Sequence, residues 1–76
     1  MNHRDFPLRF ITDDRYYNIN LYQDLFGDWV VVCDYGGRKT AVDRRKIIAV
    51  PDKVSGLKMV DQIAHVRHRH GYVEIQ

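Results

Sequence analysis

Arg15-Tyr16-Tyr17-Asn18-Ile19-Asn20-Leu21-Tyr22-Gln23, then Asp24-Leu25-Phe26-Gly27-Asp28, then Trp29-Val30-Val31-Val32-Cys33: these three consecutive segments decide the fold of the chain. In the first, Tyr17, Ile19 and Leu21 alternate with Tyr16, Asn18, Asn20 and Tyr22. A period of two puts one face of a strand against a core and the other in water. The second segment contains Gly27 between aspartates, a composition that favours a turn. The third is β-branched and aromatic and apolar on both faces, which predicts the central strand of a sheet.

Working outward, Leu8-Arg9-Phe10-Ile11-Thr12 alternates for most of its length and stops at the turn residues Asp13-Asp14, giving an earlier strand. Residues 1–7 read as a flexible N-terminus ahead of a single domain over residues 8–76. Downstream, Gly36-Gly37 breaks the third segment, and residues 38–50 read as two short strands or one bent strand. The basic triplet Arg44-Arg45-Lys46 is placed at a bulge or turn between them. Pro51-Asp52 signals a helix start with Asp52 as N-cap, and the helix runs to about His70. Leu57, Val60, Ile63 and Ala64 share one side of it, and Lys58, Gln62, His65 and Arg69 the other. Gly71 suits the left-handed position after a helix, and Tyr72-Val73-Glu74-Ile75 alternates like a short edge strand. The pattern is α+β: a small antiparallel sheet with one amphipathic helix packed on one face.

Composition narrows the function classes. Seventy-six residues form one domain with little interior to spare for a water-excluding cavity, which points away from an enzyme. The single cysteine, Cys33, forms no intramolecular disulfide. The N-terminal segment is charged and no apolar run reaches the ~18 residues of a membrane span. These features predict a cytoplasmic protein without a membrane segment. Between Arg38 and His70 nine basic residues face three acidic ones, whereas the residues before Arg38 carry three basic and six acidic, although the whole chain has a net charge of only +2. Such unlike halves can present a basic face that attracts phosphate.

Tyr16-Tyr17-Asn18-Ile19-Asn20-Leu21, Asp24-Leu25-Phe26-Gly27-Asp28-Trp29, the aromatic-Gly pair Tyr35-Gly36 and the closing Arg69-His70-Gly71-Tyr72 together resemble a WGR domain. The resemblance spans nearly the whole chain. Its most specific piece is Leu-Phe-Gly-Asp-Trp followed at Tyr35 by aromatic-Gly. WGR domains have a small antiparallel sheet and one helix. They occur in DNA-dependent poly(ADP-ribose) polymerases, where they grip a DNA end, and in short bacterial proteins regarded as nucleic-acid binders. The resemblance therefore implies binding of nucleic acid, DNA foremost, and no catalysis. In the family the naming Trp lies near a DNA sugar and the naming Arg contacts a phosphate. This chain departs from the triplet, with Tyr35-Gly36-Gly37 in its place, and Arg38 stands one residue beyond the position of the family's Arg.

On the residues themselves, Tyr35 is the candidate platform and Arg38, Lys39, Arg44, Arg45 and Lys46 are the candidate phosphate contacts, with Arg67 and Arg69 at the helix end extending the patch. Dipole compensation is the competing account of the helix-end cations. A metal reading of His65, His68 and His70 is weaker than the same electrostatic account, and no cofactor is implied. A Cys33–His pair lacks an oxyanion loop and an orienting carboxylate. The alternative to nucleic-acid binding is a protein-interaction module, which predicts an exposed apolar patch or a self-associating sheet edge.

Overall fold

The computed structural model describes residues 5–75. Five strands and one helix follow in the order β1 (Leu8–Ile11), β2 (Arg15–Gln23), β3 (Trp29–Gly37), β4 (Asp43–Val50), α1 (Lys53–Arg69) and β5 (Val73–Ile75). The strands form one antiparallel sheet in the order β4-β3-β2-β1-β5, and α1 lies across one face of it. This is the α+β architecture that the alternation and the late amphipathic helix predict. Among the described residues no helix is long and apolar enough to cross a membrane.

The longest pairing joins β2 and β3 over nine residues, from Arg15 opposite Gly37 to Gln23 opposite Trp29. Because side chains alternate, this register stacks Ile19 against Cys33 and Leu21 against Val31 on the helix side. Leu8 and Phe10 from β1 and Val60 and Ala64 from α1 complete the core. Phe10, Ile19, Val31, Cys33 and Val60 are fully buried. Each such apolar side chain removed from water contributes about 1.5–3 kcal/mol.

Several boundaries differ from the sequence reading, each for a tertiary reason. Residues 1–4 lie outside the described residues, but Phe6 packs against the core, so the ordered unit starts before residue 8. The central position in the sheet belongs to β2, with β3 beside it as an interior strand. Gly36 and Gly37 do not break β3; both stay paired, opposite Tyr16 and Arg15. They are required because the 38–42 segment folds back over them, and a Cβ on Gly36 would stand 2.1 Å from the Val42 carbonyl oxygen. The basic triplet sits at neither bulge nor turn. It lies inside one continuous β4, so Arg44 and Lys46 share the helix side and Arg45 points to the other.

The helix ends as its sequence dictates. Asp52 accepts a hydrogen bond from the Ser55 backbone N–H at 2.7 Å, and that bond holds its carboxyl below the usual carboxylate range. At the other end Gly71 has φ of 84°. The Gly71 N–H donates to the His68 carbonyl and the Tyr72 N–H to the Arg67 carbonyl, the paired bonds of a Schellman cap.

Two outcomes follow for stability. Asp52→Ala lowers the thermal midpoint at pH 7. Because the folded-state pKa is depressed, the cap's contribution is present above the unfolded carboxyl pKa of about 4 and disappears as pH falls through the lower folded value. Midpoints measured from pH 7 to pH 2 should therefore converge for the two proteins at the acid end. Gly36→Ala forces the Val42 carbonyl away and costs about 1–3 kcal/mol in urea unfolding, the usual penalty of overpacking.

Candidate functional site

At the end of the sheet where β2 begins and β3 ends, four aromatic and cationic side chains stack in sequence. Tyr17 and Tyr35 are cross-strand partners, and their rings stack with centroids 5.2 Å apart and planes 13° from parallel. The Arg67 guanidinium carbon lies 4.3 Å from the Tyr17 ring centroid and 5.4 Å from that of Tyr72. Tyr72 meets Tyr17 edge-on at 6.3 Å. The order is therefore Tyr35, Tyr17, Arg67, Tyr72, with the Schellman cap fixing the last two relative to each other.

This stack forms a wall of a cavity of about 610 Å³ whose cations are Arg15, Lys39, Arg44 and Arg67. Asp14 is the one acidic lining residue. A second hollow of about 530 Å³ adjoins it and shares Asp14, Arg15, Arg67 and Tyr72, adding Thr12 and His70. Each cation is delivered by a different element. Arg15 follows a β1–β2 turn closed by the Thr12 N–H donating to the Arg15 carbonyl at 2.9 Å and by the Arg15 N–H donating to Thr12 Oγ1 at 3.0 Å. Arg44 stands opposite Tyr35 on β4, and Lys39 rides on the segment that folds over the two glycines. Arg67 comes from the last turn of α1.

Cations outnumber carboxylates in the lining of the cleft, four to one. Nε of Arg67 is buried and has no hydrogen-bond partner among the described residues. Burial, with a contribution from a hydrogen bond to Cys33, raises the Tyr17 hydroxyl well above its ordinary pKa, so it adds no negative charge. Burial likewise pushes the Cys33 thiol up. Cys33 lies fully buried in the core and lines neither cavity, while His65, His68 and His70 are exposed along and after α1. His68 sets its ring edge against Phe10 at 5.5 Å. Among the described residues no group of three or more His, Cys, Asp or Glu side chains could hold a metal ion.

The structure brings together four of the eight residues singled out from sequence: Tyr35, Lys39, Arg44 and Arg67. Arg38 is occupied otherwise. Its guanidinium donates to the Thr12 carbonyl and its backbone N–H to the Asp14 carbonyl, both at 2.8 Å, so it ties the β3–β4 connection to the β1–β2 turn. Arg45 is on the opposite face, where it forks onto Asp34 with bonds of 2.7 and 3.3 Å. Lys46 stands opposite Cys33 and Arg69 is exposed at the helix end; neither lines the cavities. Arg15, Tyr17 and Tyr72 complete the cleft without having been singled out. The alternation of β2 held the signal for two of them, since Arg15 and Tyr17 share the parity of Ile19 and Leu21.

Comparison of the chain with protein-family models, with curated proteins and with solved structures found no match.

Because Arg67 packs between two rings, Arg67→Ala should lower the unfolding free energy by about 1–2 kcal/mol in urea titration, with Arg67→Lys recovering less than half of it.

Proposed function

We propose that the chain is a WGR-like nucleic-acid-binding module that holds DNA, an end foremost, in the aromatic and cationic cleft. The observation that carries the reading is the Arg67 guanidinium set between Tyr17 and Tyr72, with Arg15, Lys39 and Arg44 around the same cavity. A phosphodiester oxygen accepts from such donors, and the adjoining tyrosine faces offer a sugar or a terminal base an apolar surface. The antiparallel sheet with one helix, the aromatic-Gly pair at Tyr35-Gly36 and the closing Gly71-Tyr72 support the WGR-like part of the reading.

In this reading the roles divide by chemistry. Arg67 is preorganised by its two rings, so little side-chain freedom is lost when it binds a phosphate. Arg15, Lys39 and Arg44 are exposed and supply longer-range attraction. Where the family has its Arg, Gly37 faces Thr40, whose Oγ1 would lie 2.3 Å from an added Cβ. The cation is supplied instead from α1 and β4. The Tyr17–Tyr35 stack takes the place of the family's Trp.

Fluorescence anisotropy of a short 5′-phosphorylated duplex tests this. With about four phosphates neutralised, affinity should fall about 100-fold between 50 and 200 mM salt. Arg15→Ala and Arg44→Ala should each flatten the log–log salt slope by about one, while Arg45→Ala, on the other face, should leave it unchanged. A closed circular competitor should displace the duplex poorly. Absent or salt-insensitive binding would remove the proposal.

A further inference from the structure

The face of the sheet away from α1 is uncovered among the described residues, and it is not uniform. The two cross-strand rows nearest the β2–β3 hairpin hold Ala49, Val30 and Tyr22 in one and Ile47, Val32 and Asn20 in the next. Val30 and Val32 form the floor of this half-face at 7% and 3% exposure, while Tyr22 and Ile47 stand above it at 43% and 62%. Beyond the rows, the hairpin tip presents Leu25 and Phe26 at 100% and 89% exposure. The tip is held rigidly. Asp24 Oδ1 accepts from the Phe26 and Asp28 N–H groups, both at 2.9 Å, and Gln23 Nε2 donates to the Gly27 carbonyl at 2.8 Å. Two large apolar side chains fixed in water beside an apolar half-face are the mark of a contact surface.

The third row changes character: Arg45, Asp34, Asn18 and Arg9 stand side by side across four strands. Arg45 is paired with Asp34, whereas Arg9 has no carboxylate partner among the described residues. The tip, in contrast, is flanked by Asp24 and Asp28. Apolar rows lie between an acidic tip and a basic row, so the surface complements itself when turned end for end.

We propose that this half-face is the interface of a two-fold dimer of the chain. The axis runs across the strands between the two apolar rows, so that each copy's hairpin tip passes over the Arg9–Arg45 row of the other. The contact is isologous, as a closed dimer requires. The longest two extents of the molecule are 36 and 29 Å. Half of that face gives each partner roughly 500 Å², near the ~1,000 Å² total at which specific interfaces begin and so at the small, transient end of the size range. The tip carboxylates repel nucleic acid and anionic lipid from the same surface. The cationic cleft lies on the helix side, so dimerisation leaves two clefts facing outward and is independent of what fills them.

Sedimentation velocity on the full chain, from about 1 μM to about 1 mM, reads the equilibrium over the range expected for an interface of this size. The sedimentation coefficient should rise from monomer to dimer and stop there. Phe26→Asp and Ile47→Asp change exposed positions, so circular dichroism should stay native while each weakens the dimer at least tenfold. Arg9→Glu alone and Asp28→Arg alone should each weaken it, and the double variant should regain most of the loss. A monomer throughout the range, a dimer untouched by Phe26→Asp and Ile47→Asp, or association of the monomer with zwitterionic vesicles that Phe26→Asp abolishes would each overturn the proposal.

Discussion

The pairing of β2 with β3 is the constraint on which everything else in this molecule rests. Because Tyr17 stands opposite Tyr35, Ile19 opposite Cys33 and Leu21 opposite Val31, one register builds both the aromatic wall of the cleft and the buried centre of the core. A slip by one residue would turn Ile19 and Leu21 outward and separate the stacked tyrosines. The same hairpin also separates two unlike surfaces. Its closed end carries Leu25 and Phe26, and its open end carries Arg15, Tyr17 and Tyr35.

The cleft is assembled by contacts from every side of that hairpin. The Schellman cap turns the chain so that Tyr72 meets the guanidinium of Arg67, which stands three residues after the buried helix residue Ala64. The folded-back 38–42 segment brings Lys39 to the cavity because Gly36 has no side chain to obstruct it. Arg38, adjacent to Lys39, anchors that segment to the β1–β2 turn. Rigid placement of this kind lowers the entropy lost on binding and suits a site whose chemistry is charge and stacking.

Much of the fold is legible in the sequence because local pattern and tertiary structure agree there. The alternation of residues 15–23 marks β2 to both ends, Asp52 and Gly71 mark the helix ends, and Tyr72–Ile75 marks the edge strand. The failures share one cause. Gly36-Gly37 looks like a breaker on propensity, yet its role is to admit the Val42 carbonyl from a segment six residues on. The triplet Arg44-Arg45-Lys46 looks like one cluster, yet a strand's period of two sends Arg45 to the opposite face and onto Asp34. Tyr35, Lys39, Arg44 and Arg67 are legible as candidates from type and charge. Their meeting around one cavity, and the part of Tyr17 and Tyr72 in it, depends on the sheet register and on the chain reversal after α1, which composition does not encode.

The central proposal is that nucleic acid is held in the helix-side cleft. An amide chemical-shift map recorded while a short 5′-phosphorylated duplex is added tests it most directly, since it reports both occupancy and location. The account predicts shifts concentrated at Arg15, Tyr17, Tyr35, Arg44, Arg67 and Tyr72, with Asp34, Arg45 and Ile47 still. Shifts centred on the opposite face, or none at saturating duplex, would contradict it.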